Sequence, residues 1–142
     1  LEYPDWVNVI AITREGKFVM VRQYRHGLGE TRYEICAGVC EQGEPPIISA
    51  QRELYEETGY GNGSWTELMT VSANASTMTN ITHCYLATNV EPISTQHLEE
   101  TEDLSVHLLT EEEVKALLMN DEVKQALMAA PLWKYFALQG NK

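Results

Sequence analysis

Apolar residues in this chain come in short blocks whose period changes along its length. Residues 6–13, WVNVIAIT, are apolar and β-branched enough for a buried strand. Residues 14–17 form a turn, and residues 18–24, FVMVRQY, alternate like the returning strand of a hairpin. A glycine-bearing loop is expected over 25–32, then a short strand over 33–35 running into Cys36-Ala37-Gly38. The period then lengthens, and a helix is predicted over about 46–58. A glycine-rich turn (59–63), a strand (65–71), a polar loop (72–80) and a strand (83–87) follow. Residues 91–103 read as a long acidic loop and 104–109 as a strand. Thr110-Glu111-Glu112-Glu113 is a capping box opening a second helix with Val114, Leu117 and Leu118 as its apolar stripe. A last helical stretch covers 122–139, and Pro131 is expected to kink or restart it. Strands interleaved with helices, without internal repeats, predict one α/β domain with a mixed sheet between helices.

The helix over 46–58 carries the chemistry. Pro45 and Pro46 sit where a helix begins, and Gly59 sits where one ends. At roughly 100° per residue, Glu53, Glu56 and Glu57 share a narrow stripe, while Ile47, Ile48, Leu54 and Tyr55 fall largely opposite. Carboxylates held so close resist ionisation unless a cation sits among them, and hard oxygen donors favour Mg²⁺ or Mn²⁺. A bare ExxEE is more often a solvated acidic face, so the wider spacing must decide.

Gly38, Glu44, Arg52, Glu53, Leu54, Glu56, Glu57 and Gly59 stand at the offsets of GX5EX7REUXEEXGU, where U is aliphatic. The stretch 38–60 therefore resembles the Nudix box, with Tyr60 the one departure at a packing position. Residues 6–25, 33–38 (YEICAG) and 101–109 (TEDLSVHLL) resemble the ADP-ribose pyrophosphatase-like branch of that family. The branch usually reads close to ELPAG before the box, and here Ile35 and Cys36 replace the Leu and Pro. The resemblance implies an α/β/α sandwich spanning residues 1–142. It also implies that Glu53 and Glu57 are the main metal ligands, with Glu56 a further ligand or catalytic helper. The backbone carbonyl of Ala37 would join them. Arg52 would orient carboxylates and Glu44 would hold Arg52. Gly38 would let the loop approach the helix closely.

Net charge refines this picture. Of 21 acidic residues, fifteen lie in residues 30–57 and 91–113, while no basic residue lies between Arg52 and Lys115. With a net charge of −11 the chain is a poor partner for nucleic-acid backbone, and two converging acidic blocks suit a metal site. No apolar run approaches the length of a membrane span, and no signal peptide opens the chain. A first residue Leu1 rather than methionine leads us to expect residues ahead of it. Cys36, Cys40 and Cys84 form no CxxC pair and read as reduced thiols of a cytoplasmic protein. The sequons at Asn62, Asn74 and Asn80 are taken as chance.

In this family Mg²⁺ ions, or Mn²⁺, activate a water against a diphosphate, and a loop beyond the box supplies the general base. Glu102, Glu99 and Glu100 are the candidates, with Glu102 preferred because TEDLSVH fits the family segment best. Arg22, Tyr24, Arg25 and Arg32 are candidates for binding substrate phosphate, ribose or base, although each arginine suits the surface equally well. Tyr33 is a further stacking candidate. His83 and His107 read as structural histidines, and Trp6, Trp65 and Trp133 as packing residues. Asn74-Ala75-Ser76 lacks a proline common in ADP-ribose hydrolases. The expected activity is cleavage of ADP-ribose to AMP and ribose 5-phosphate by a homodimer. Hydrolysis of another nucleotide sugar or a nucleoside triphosphate stays open, as does a non-catalytic nucleotide-sensing module.

Overall fold

The computed structural model describes residues 3–94 and 104–140. Its elements are β1 (Trp6–Thr13), β2 (Phe18–Arg25), β3 (Glu30–Val39), α1 (Pro46–Thr58), β4 (Tyr60–Gly61), β5 (Ser64–Val71), β6 (Thr82–Pro92), β7 (Leu104–Leu109), α2 (Glu111–Met119) and α3 (Ala126–Gly140). The strands form one seven-stranded curled sheet in the order β4-β6-β1-β3-β2-β7, with β5 also on β6. β1 runs parallel to β6, and the other pairings are antiparallel.

Strand alternation sorts the core into two layers. Val7, Val9 and Ala11 of β1 pack with Val19, Cys36, Ala50 and Leu54 on the α1 side. Ile10 and Ile12 face the other way, onto Phe18, Met20, Ile35 and the α2/α3 residues Val114, Leu118, Met128 and Leu132. This is the expected sandwich with a mixed sheet. Among the described residues no helix is long and apolar enough to cross a membrane.

Helix ends follow the sequence closely. α1 begins behind Pro45, and Gly59 closes it at φ 78°, its N–H donating to the Tyr55 carbonyl. In the capping box of α2, Glu113 N–H donates to Thr110 Oγ1 at 3.1 Å and Thr110 N–H to Glu113 Oε1 at 2.9 Å.

Strand lengths differ from expectation. β3 covers 30–39 because its polar half pairs with β2 from Arg25↔Glu30 to Met20↔Ile35, after which it pairs with β1. β6 extends to Pro92 because β1, β5 and β4 all pair with it. Asn89, at φ 56°, is skipped where the β1 register shifts.

Pro131 lies inside an unbroken α3 rather than dividing it. A proline there removes the N–H that would have satisfied the Leu127 carbonyl. Asn8 supplies the missing donor: its Nδ2 lies 2.9 Å from Leu127 O. The sheet therefore completes a helix that its own sequence leaves one hydrogen bond short.

Asn8→Ala should cost about 1–3 kcal/mol of stability in urea unfolding, the penalty of an orphaned buried carbonyl. In a Pro131→Ala background, where the helix regains its own donor, the same change should cost clearly less. Equal costs in the two backgrounds would refute the compensation.

Candidate active site

The site is built where the end of β3 meets α1. A Cβ placed on Gly38 would lie 2.2 Å from Glu53 Cδ and 2.6 Å from its Oε1. Only a residue without a side chain lets the strand lie against the Glu53 carboxylate in this way. That contact seats Glu53 beside the strand backbone at Ala37-Gly38.

Arg52 organises the carboxylates around it. Its Nε donates to Glu44 Oε2 at 3.1 Å and its Nη2 to Glu44 Oε1 at 3.0 Å and to the Val39 carbonyl at 3.2 Å. Its Nη1 reaches Glu53 Oε1 at 2.9 Å and Glu56 Oε2 at 3.2 Å. Ser49 Oγ donates to Glu44 as well. Arg52 and then Ser49 hold the Glu44 carboxyl down at about 2, while Glu44 raises the Arg52 pKa further above its ordinary value. Glu44 is thus a permanently charged anchor for Arg52, and Arg52 aims Glu53.

Glu57 has no such compensation. Burial, then the neighbouring Glu53 charge, push its pKa up to about 7, partly offset by a hydrogen bond from the Cys36 thiol. Burial also raises Glu53, against the pull of Arg52. Cys36 is fully buried, and burial followed by the Glu57 and Glu53 charges holds its thiol firmly protonated.

The stripe of three glutamates does not gather into one cluster. Arg52 draws Glu56 outward, and Glu56 is exposed. Among the described residues no three metal-binding side chains are already assembled. Even so, the donor set suits a hard divalent cation. Two half-buried carboxylates whose ionisation is disfavoured, beside the strand backbone at Ala37, are what such an ion would stabilise.

Next to Glu57 a cavity of about 210 Å³ is bordered by Gln23, Arg25, Glu34 and Ala37. Glu34 is 3% exposed, yet charged partners hold it: Arg25 donates through Nε at 2.8 Å and Nη2 at 2.6 Å. Gln125, just ahead of α3, adds a third bond at 2.7 Å. The Glu34 bond raises the pKa of Arg25 and fixes the guanidinium at the cavity rim.

Of the four candidate substrate residues, this cavity meets Arg25. Arg22 and Tyr24 occupy the intervening positions of β2: Arg22 lies 5.5 Å from the Tyr33 ring centroid and Tyr24 packs edge-on against His26. Arg32 pairs with Glu30 and reaches the Glu122 carbonyl at 3.4 Å. Glu99, Glu100 and Glu102 lie outside the described residues. His83 pairs with Asp5 at 2.9 Å, and His107 with Ser105 at 2.8 Å.

Gln23, Glu34 and Gln125 were not singled out from sequence, and Cys36 was read only as a reduced thiol and a departure from the usual Pro. A glutamate flanked by Tyr33 and Ile35 in a strand was the signal for Glu34. Gln125 left none, because its partner lies 91 residues away.

The sequence matches the NUDIX domain over residues 3–130. It is 36% identical over 130 residues to the ADP-ribose pyrophosphatase of Bacillus subtilis (strain 168), covering 91% of this chain and 70% of that protein. It is 44% identical over 87 residues to the Methanol dehydrogenase activator of Bacillus methanolicus, covering 61% of this chain and 47% of that protein. The chain thus spans about half the length of the second relative. The crystal structure of an ADP compounds hydrolase superposes with a TM-score of 0.82 at 23% identity, over 96% of this chain and 74% of that one. At that identity the likeness is one of fold.

Because the folded pKa of Glu57 lies above its unfolded value of 4.5, the fold favours its protonated form. The stability this contributes is fully present below about pH 4.5 and is lost as pH rises through about 7. In EDTA the protein should lose on the order of 2 kcal/mol by this route between about pH 5 and 8. Glu57→Gln should flatten that slope in urea unfolding, and an unchanged slope would refute the assignment.

Proposed function

The chain belongs to the Nudix family, and from that footing we propose that it hydrolyses ADP-ribose to AMP and ribose 5-phosphate. The observation that carries this reading is Glu53, seated under Gly38 and aimed by a permanently charged Arg52–Glu44 anchor, one helical turn before the half-buried Glu57 at the cavity of Arg25 and Ala37. Identity of 36% to an ADP-ribose pyrophosphatase over 91% of the chain supports the substrate class.

In this reading Glu53, Glu57 and the Ala37 carbonyl would hold Mg²⁺, or Mn²⁺, with Glu56 a further ligand if released from Arg52. When bound, such a cation would supply charge neutralisation for the diphosphate oxygens and a more acidic water. Arg25, held by Glu34, which Gln125 bonds in turn, presents its guanidinium to the substrate diphosphate. Glu102, ahead of Glu99 and Glu100, takes the proton from the attacking water. The new P–O bond forms to that water, and the P–O bond on the far side of the same phosphorus breaks. One phosphate leaves on the nucleoside and the other on the sugar.

We place this activity in the cytoplasm and in a homodimer. The free thiols of Cys36, Cys40 and Cys84 are in keeping with a reducing compartment. Light scattering should return twice the mass of one chain; a monomer mass at working concentration would remove the dimer.

Turnover should be tested on ADP-ribose, other nucleotide sugars, dinucleotides and nucleoside triphosphates, with Mg²⁺ and with EDTA. ADP-ribose should be cleaved, and only with the cation. Glu57→Gln should lower kcat by about 10²–10³-fold, as loss of a preorganised charge does. Glu102→Gln should lower kcat by about 10²–10⁴-fold with cation affinity unchanged. Wild-type turnover in Glu57→Gln sinks the ligand assignment, and a loss confined to Glu99→Gln or Glu100→Gln moves the base. Nucleotide binding without turnover of any compound would make the chain a sensing module.

A further inference from the structure

Gln125 is the residue whose carbonyl opens α3: Met128 N–H and Ala129 N–H both donate to it at 3.0 Å. That makes it the helix cap, a position where Ser, Thr, Asn or Asp ordinarily offers its side chain to the first free N–H groups. The amide of Gln125 is used elsewhere. Its Nε2 donates across 91 residues of chain to Glu34 Oε2 at 2.7 Å. A helix start that gives a distant carboxylate the group it could have used itself points to a role for that contact beyond the helix.

The segment carrying Gln125 is held by the sheet on either side of it. Arg32 of β3 donates through Nη1 to the Glu122 carbonyl at 3.4 Å, and Asn8 of β1 donates to the Leu127 carbonyl at 2.9 Å. Glu122 N–H donates in turn to the Leu117 carbonyl at 2.9 Å, tying the segment to the end of α2. Gln125 therefore reaches Glu34 from a fixed backbone.

Glu34 is the link onward. Its Oε2 is shared between Gln125 Nε2 and Arg25 Nε, the latter at 2.8 Å, and its Oε1 accepts from Arg25 Nη2 at 2.6 Å. Two bonds from one guanidinium let carboxylate and guanidinium move together as a pair. A third bond from another element stops that motion. The pairing takes the Nε–Nη2 edge of Arg25 and leaves Nη1 for a ligand. This guanidinium borders the cavity beside Glu57 and also a second cavity, of about 300 Å³, whose wall includes Gln125 and Met128. The Arg25 side chain is 39% exposed. Unheld, so long and open a side chain would lose much rotamer freedom on meeting a ligand.

We infer that Gln125 is a positioning residue for Arg25: through Glu34 it fixes, from α3, the direction in which the guanidinium meets the substrate diphosphate. The diphosphate rests on the hydrolase reading, whereas the linkage stands on the hydrogen bonds. Glutamine is the side chain the task needs. Asn is one methylene short of Glu34, and Glu would set a second carboxylate against the first. Arg25 holds the diphosphate alike before and during the reaction. Losing its preset direction therefore removes uniform binding, which is read in KM and not in kcat.

Gln125→Met keeps the length of the side chain and removes the donor. Gln125→Asn supplies a good helix cap but withdraws the amide from Glu34. On ADP-ribose at saturating Mg²⁺ both should raise KM about tenfold, the worth of one hydrogen bond to a charged group, and hold kcat. Gln125→Asn should do so with stability in urea about unchanged, because the regained cap offsets the lost bond. In the Glu34→Gln background, where the linking carboxylate is gone, Gln125→Met should change KM no further, since residues acting through one link are not additive. An additive effect, an unchanged KM in both variants, or kcat falling at unchanged KM would overturn the inference. NMR reads the linkage without turnover. In EDTA the Arg25 Nε–H should exchange with water about tenfold faster in Gln125→Met than in wild type, and equal exchange would overturn the linkage. Absence of Mg²⁺-dependent turnover in wild type removes the hydrolase reading instead, and the Arg25 Nε–H still decides whether Gln125 positions the guanidinium.

Discussion

The close approach of β3 to α1 at Gly38 is the constraint on which the site depends. With no Cβ in the way, the Glu53 carboxylate lies against the strand that carries the Ala37 carbonyl. The helix can then present one carboxylate to the strand, while the next turn presents Glu57 to the cavity bordered by Arg25 and Ala37. Any side chain at Gly38 would displace the Glu53 carboxylate from the strand and separate the donors. Arg52 secures the arrangement from outside by bonding Glu44, Glu53 and the Val39 carbonyl together. Helix, strand and the connection between them are thereby tied at one guanidinium.

Charge is distributed unevenly across this frame, and the unevenness has chemical meaning. Glu44 is fully compensated and stays ionised. Glu34 is buried but receives three hydrogen bonds from Arg25 and Gln125. Glu57 sits between these two anchored pairs with burial and Glu53 acting against its charge. A fold that satisfies two carboxylates and strands the third leaves that third one ready for a cation. Such a site is kept at some cost in stability, as functional sites commonly are.

Much of the fold and the box was legible because the relevant signals are local. Pro45, Gly59 and Thr110 mark helix ends through their own backbone and side-chain chemistry, and Gly38, Glu44 and Arg52 act within one loop and helix. What escaped notice depends on partners distant in the chain. The length of β3 comes from pairing with β2 and β1, not from its polar composition. Glu56 belongs to the acidic stripe by helical angle, yet Arg52 four residues earlier pulls it away. The Arg25–Glu34–Gln125 triad joins two strands to the segment ahead of α3, and no spacing rule connects them.

Pro131 shows how a local rule can be right about physics and wrong about outcome. The rule that proline breaks a helix rests on two costs, a lost donor and a clash with the preceding turn. The first cost is real here, since the Leu127 carbonyl has no helical partner. It is met by a side chain 119 residues away on a neighbouring strand. That repair constrains Asn8 in turn, because an amide whose nitrogen is committed to a carbonyl cannot flip without setting two oxygens against each other. A defect in the last helix thus sets the orientation of a side chain on β1. A residue at position 131 that restored the helical donor would leave Asn8 free of this role, so helix and strand are coupled through one amide.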